Sequence, residues 1–137
     1  MARSPDAYVD TSALIALVDR SDTWHPLFRQ LFARPPRLLT TALVIAEGHA
    51  WFLRRYDQTR GLQFLAMIEE MKPLQILPAG PKELAGGTTV LRRFADQELT
   101  MTDAVGLWLM REKKLGVCWS TDFRLGLMGA ALVTNQE

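Results

Sequence analysis

Ala7-Tyr8-Val9-Asp10-Thr11-Ser12-Ala13-Leu14-Ile15-Ala16-Leu17-Val18 is the stretch whose reading decides the fold. A three-residue apolar run stops at an acid, two hydroxyl residues suited to capping follow, and an apolar helical segment begins at Ala13. Strand, turn and helix are packed into twelve residues. The unit recurs. Leu38-Leu39 reads as a short strand, and Thr40 or Thr41 can cap a helix from Ala42 to about Arg54. Leu74 to Leu77 reads as a third strand before a helix that starts at Pro81, weakened by Gly86-Gly87 and running to about Ala95. Thr102 is expected to cap a helix from Asp103 to Lys113, and Gly116 to close it ahead of a fourth strand at Val117 to Trp119. A helical turn at Phe123 to Leu127 and a strand at Ala131 to Val133 finish the pattern.

Two more helices fill the gaps. Trp24, Leu27, Phe28, Leu31 and Phe32 fall at three- and four-residue spacing, with Pro26 in the first turn. Asp57 caps a helix whose expected buried stripe is Leu62, Leu65, Ala66, Ile68 and Met71, closed by Pro73. Strands alternating with helices predict an α/β fold with a mostly parallel, twisted central sheet, because parallel neighbours need a crossover to return the chain to the same edge. In such sheets ligands gather at the carboxyl ends of the strands. The Gly- and Pro-rich stretch Ala79 to Thr88 reads as the most mobile internal segment.

At 137 residues the chain suits one compact domain able to bury a core. No apolar stretch is long enough to span a bilayer, and the N-terminus shows no charged region followed by an apolar run and a cleavage site, so cytoplasmic residence is the expectation. Cys118 lies alone in an apolar run, which excludes an internal disulfide and a cysteine metal site and points to a buried thiol. Sixteen basic against fifteen acidic residues give a net charge of +1, without the basic footprint of a general nucleic-acid binder. Nucleic acid must then be bound through local patches, and an acidic site can serve one once cations reverse its field.

Four carboxylates stand where an ordinary fold has little need of them. Asp10 ends the first strand; Asp103 opens a helix; Asp122 follows the fourth strand in Ser120-Thr121-Asp122-Phe123; Glu47 sits among Leu43, Val44, Ile45, Ala46 and Trp51, where strong burial is expected. Each has an ordinary explanation taken singly. Asp10 and Asp122 suit turns and caps, and an acid in a first helical turn gains about 0.3–1 kcal/mol from the macrodipole. As a set, three fall at strand-to-helix junctions on the side where such sheets place their sites, and Glu47 lies on a helix that can reach that edge. Two carboxylates about 4 Å apart repel by about 4 kcal/mol at an effective dielectric constant near 20, so such a cluster needs protons or cations. An all-oxygen donor set suits Mg²⁺ or Mn²⁺.

Val9-Asp10-Thr11-Ser12-Ala13-Leu14, Ala46-Glu47, Leu99-Thr100-Met101-Thr102-Asp103-Ala104 and Trp119-Ser120-Thr121-Asp122-Phe123, in this order, resemble the PIN-domain family and within it the VapC-type toxins of toxin–antitoxin pairs. The resemblance runs from Ala7 to about Val133 and implies a single PIN domain over residues 1–137, with a three-layer fold of helices around a parallel sheet. It implies a metal-dependent endoribonuclease using Mg²⁺ or Mn²⁺, with Asp10, Glu47, Asp103 and Asp122 as catalytic, metal-holding residues. Thr11, Ser12 and Ser120 become the supporting hydroxyls. An RNA substrate, a cognate antitoxin and a homodimer are the implied partners. The alternative is a PIN-like RNA-binding or scaffold module without catalysis, which loss of an acid would favour; all four are present. A haloacid-dehalogenase-like phosphatase also opens with an Asp after its first strand, but needs a second acid where this chain has Ser12.

Arg124, two residues after Asp122, is the nearest candidate for a substrate phosphate. Arg54-Arg55, Arg92-Arg93 and Lys113-Lys114 are further candidates, although helix C-termini favour basic residues in any case. Trp51, one turn beyond Glu47, is the tryptophan best placed to meet a base. His25 and His49 are not placed for a shared site: His49 points about 200° around the helix from Glu47.

Overall fold

The computed structural model describes residues 5–135. Five strands, β1 (Ala7–Val9), β2 (Leu38–Thr41), β3 (Leu74–Leu77), β4 (Val117–Trp119) and β5 (Ala131–Leu132), form one sheet in the order β3-β2-β1-β4-β5, with every neighbouring pair parallel. Six α-helices flank it: α1 (Thr11–Val18), α2 (His25–Ala33), α3 (Ala42–Arg55), α4 (Gln58–Glu70), α5 (Pro81–Arg93) and α6 (Met101–Glu112). Short 3₁₀ turns occupy Ala95–Gln97, Phe123–Gly126 and Val133–Asn135. Among the described residues no helix is long and apolar enough to cross a membrane.

Covering on both faces explains the composition of the inner strands. Ala7, Tyr8 and Val9 of β1 and all four residues of β2 are buried, whereas edge strand β3 leaves Gln75 and Ile76 exposed. The chain builds outward from β1 through β2 to β3, then returns to β1's other side with β4 and β5. Strand order therefore reverses between β1 and β4, and this topological switch point is where open α/β sheets place a crevice. The register brings the ends of both strands level: Val9 pairs with Trp119, and the Asp10 N–H donates to the Trp119 carbonyl at 3.0 Å.

Two caps are as the sequence suggests. Thr41 Oγ1 accepts the Val44 N–H at the start of α3, and Asp57 Oδ1 accepts the Arg60 N–H at the start of α4. Two are not. Helix α1 begins at Thr11 with Asp10 at its N-cap, so Thr11 and Ser12 lie inside the helix. Helix α6 begins two residues before Asp103, with Thr100 rather than Thr102 as its cap. The α4 stripe is Gly61, Phe64 and Ile68; Leu62 and Ala66 are exposed, because three- and four-residue spacing through Phe64 turns them outward. Lys114, with φ +54°, follows the C-cap Lys113 and ends α6, a task the sequence reading gave to Gly116.

The Gly-Pro-rich stretch forms the first turns of α5 from Pro81. Gly86 and Gly87 are demanded there by packing: a Cβ at Gly86 would overlap the Trp108 indole, and one at Gly87 would come within 2.7 Å of Val105 Cγ2. The two glycines let α5 lie directly against α6, the helix that carries Asp103.

Candidate active site

Asp10 is the residue on which the site is built. Its backbone is extended at φ −86° and ψ 162°, as an N-cap requires, yet its side chain makes no capping hydrogen bond to α1. The carboxylate instead receives Ser12 Oγ–H at 3.0 Å and Ser120 Oγ–H at 2.9 Å, both on Oδ2. The two hydroxyls lie 3.2 Å apart and are held in turn by the chain: Thr121 N–H donates to Ser12 Oγ at 3.0 Å, and Asp122 N–H donates to Ser120 Oγ at 2.9 Å. The turn after β4 is thereby docked on the first turn of α1. Burial pushes the Asp10 carboxyl up to about 6, and the neighbouring charge of Asp103 pushes the same way, while the two serine hydroxyls pull it down.

Asp103 is almost equally buried and is the N3 residue of α6. Its Oδ2 accepts the Thr100 N–H at 3.0 Å and Thr100 Oγ1 accepts the Asp103 N–H at 3.1 Å, a reciprocal capping box. Thr100-x-x-Asp103 carries the capping-box spacing in the sequence, so the cap is Thr100 and not the expected Thr102. The structural role of Asp103 and its exposure to the site coexist, since the box uses Oδ2. Thr11 Oγ1, buried beside Asp10, has no hydrogen-bond partner among the described residues.

Asp122 is treated differently. Arg124 grips it with Nε–H on Oδ1 at 3.0 Å and Nη2–H on Oδ2 at 2.7 Å, and the Arg124 backbone N–H adds a third bond to Oδ1 at 3.0 Å. The guanidinium holds this carboxyl below the usual carboxylate range. Nη1 reaches across to the carbonyls of Gln97 and Glu98, at 3.3 and 3.2 Å. The sequence reading offered Arg124 to a substrate phosphate; most of its donors are spent within the protein.

Asp10, Glu47, Asp103 and Asp122 all line one open cleft of about 670 Å³, together with Thr11, Ser12 and Arg124. Ser120 lies beneath it, fully buried. The cleft thus unites the four acids, but among the described residues no group of three or more His, Cys, Asp or Glu side chains is gathered as a finished metal cage. Glu47 is half-buried, contrary to the strong burial expected of it. Its apolar sequence neighbours are spread around α3, whose buried face is Val44, Gly48 and Phe52; Glu47 lies about 100° from Gly48 and so reaches the cleft wall. Of the three basic pairs only Arg54 and Arg55 line the cleft, alongside Trp51. His25 is occupied elsewhere, with Nδ1 2.8 Å from the Ala16 carbonyl. Cys118 is buried and unpaired, as expected.

The sequence matches the PIN domain family model over residues 7–129, which takes in strands β1 to β4, the four acids and the turn after β4. The chain belongs to the PIN domain family. Solved structures agree on the fold. A Mycobacterium tuberculosis protein described as VapC20, a sarcin–ricin-loop-cleaving toxin, superposes with a TM-score of 0.83 at 21% identity, covering 91% of this chain and 96% of that one. A toxin–antitoxin complex from Klebsiella pneumoniae gives 0.64 at 17% identity, covering 96% of this chain and 98% of that one. VapBC2 from Rickettsia felis, bound to a promoter DNA fragment, gives 0.64 at 9% identity over 93% and 96%. No curated protein sequence matches the chain.

Proposed function

We propose that this PIN domain is a divalent-cation-dependent endoribonuclease and the toxin of a toxin–antitoxin pair. The observation that carries the reading is Asp10. It is a buried carboxylate at the sheet's switch point, oriented by two hydroxyls, free of any capping duty, and faced by a second buried acid, with neither acid in a salt bridge among the described residues. Such an arrangement costs stability unless a cation or proton joins it, and proteins accept that cost chiefly at working sites.

The donors suit Mg²⁺ or Mn²⁺: they are oxygen only, with the buried and unpartnered Thr11 Oγ1 beside them. Asp10 and Asp103 would hold the cation, which supplies Lewis acidity toward a phosphodiester and a reacting water. Ser12 and Ser120 fix the Asp10 carboxylate so that one geometry is presented. Glu47, half-exposed on the cleft wall, would orient water or accept its proton. Arg54 and Arg55 at the end of α3 offer charge to flanking phosphates, and Trp51 offers an aromatic edge to a base.

The toxin role is supported by the likeness to structures described as toxins and toxin–antitoxin complexes. In this reading the chain acts as a homodimer in the cytoplasm, and a segment of the antitoxin covers the cleft. The test is cleavage of a mixed pool of structured RNAs with Mg²⁺ or Mn²⁺. Cleavage is expected to stop with chelator and in Asp10→Asn. Cleavage that survives chelation, or that Asp10→Asn leaves intact, overturns the assignment.

A further inference from the structure

Asp10 directly follows β1 and Asp122 lies in the turn three residues after β4, and the family resemblance implies both as metal ligands. Their surroundings separate them. Both oxygens of Asp122 are engaged by one guanidinium, bidentately and at charge-assisted distances of 3.0 and 2.7 Å. The arginine is not free to swing away cheaply, since Nη1 is tied to two carbonyls of the α5–α6 connection. One of those carbonyls belongs to Glu98, held at φ +53° in the left-handed region that non-glycine residues seldom adopt. The planar fork of Arg124 therefore joins the turn after β4 to the segment that leads into the Asp103 capping box. A divalent cation at Asp122 would have to displace this guanidinium or sit beside its positive charge.

Resting on the reading of the cleft as a cation-dependent nuclease site, we propose that Arg124 is the built-in counter-cation of Asp122. The site accordingly takes one divalent cation, at Asp10 and Asp103, rather than two. Asp122 then anchors Arg124, and Arg124 acts as a positioning residue that fixes a positive charge on the cleft wall and braces the loop before Asp103.

Mn²⁺ titration of the full chain without nucleic acid, followed by calorimetry and by the loss of free-Mn²⁺ electron paramagnetic resonance signal, tests this directly. The native protein is expected to bind one Mn²⁺. Asp103→Asn should weaken that binding by more than about tenfold, whereas Asp122→Asn should leave the count at one and the affinity within about tenfold. Arg124→Met, which removes the charge and keeps an unbranched side chain, should raise the count to two, and adding Asp122→Asn to it should return the count to one. Should Arg124→Met fail to fold, Asp122→Asn in the native background decides alone. A native count of two, with one ion lost in Asp122→Asn, overturns this inference and leaves the nuclease reading standing. Binding of no Mn²⁺ by the native chain overturns both.

Discussion

Asp10 and Asp122 leave the carboxyl ends of adjacent strands and line the same cleft, yet the protein compensates their charges in opposite ways. Asp10 is buried, meets only uncharged donors, and is pushed up to about 6. Asp122 is better hydrated, meets a guanidinium on both oxygens, and is pulled below the usual range. The same residue type near the ends of adjacent strands is thus left without a direct counter-ion in one place and given one in the other. In the proposed function Asp10 is the carboxylate that draws in the cation, because a buried charge without a direct counter-ion gains most from one.

The sharpest way to break the comparison is to remove each carboxylate charge and measure RNA cleavage. Asp10→Asn should lower cleavage more than about 100-fold, since even outer partners of metal ligands cost about 10–100-fold. Asp122→Asn should cost less, because the asparagine oxygen can still accept from Arg124. Equal losses would remove the distinction.

Stability in the absence of metal sharpens it further. The folded Asp10 binds its proton more tightly than the unfolded residue, so between about 4 and 6 the folded state carries the extra proton. Its contribution is therefore favourable below the unfolded value and is lost as pH rises through about 6. At pH 8, Asp10→Asn should melt higher than the native chain. The difference is about 3 kcal/mol at most from the size of the shift, or up to roughly 10 °C. The gap should close as pH falls from about 6 to below 4. Thermal melts in chelator across this range check the sign.

Local signals made most of the architecture legible. Short apolar runs ending in acids or hydroxyls, together with caps at Thr41 and Asp57, are encoded within a few residues, and the strands and helices follow them closely. The sheet's reversal between β1 and β4 also makes sense of why Asp10 and Asp122 meet, although strand order itself is not written locally. What escaped the sequence was long-range or rotational. Glu47 looked buried because its neighbours in sequence are apolar, but exposure depends on which side of α3 a residue occupies. Gly86 and Gly87 looked like weak points because Trp108 and Val105 lie about twenty residues away in the chain. Arg124 looked available because nothing local announces that Gln97 and Glu98 will come within its reach.

Ser120 joins the two halves of the comparison, donating to Asp10 and accepting from the Asp122 backbone. It is fully buried, so Ser120→Ala leaves a backbone N–H without its acceptor and a carboxylate without one donor. A loss of about 1–3 kcal/mol is expected in denaturant unfolding. Because its hydroxyl lowers the Asp10 carboxyl, the alanine variant should also move the acid limb of the Asp10-dependent stability profile to higher pH. Ser12→Ala, at a less buried position, should do the same more weakly.

The smallest effect belongs to the Asp122–Arg124 pair. Asp122 carries a folded value below the unfolded one, so its contribution is present above the unfolded value and fades as pH falls through the folded one, the reverse of Asp10. In metal-free protein at pH 8, Asp122→Asn should therefore destabilise where Asp10→Asn stabilises. Solvent screens a half-exposed pair, and the asparagine still caps the 3₁₀ turn through the Arg124 N–H, so the cost should be no more than about 1 kcal/mol. Raising the ionic strength to about 1 M, where the screening length is about 3 Å, should shrink it further. Urea unfolding of the two asparagine variants side by side checks the opposition of signs. If both move the same way at pH 8, the two strand ends are balanced alike and Arg124 does not distinguish them.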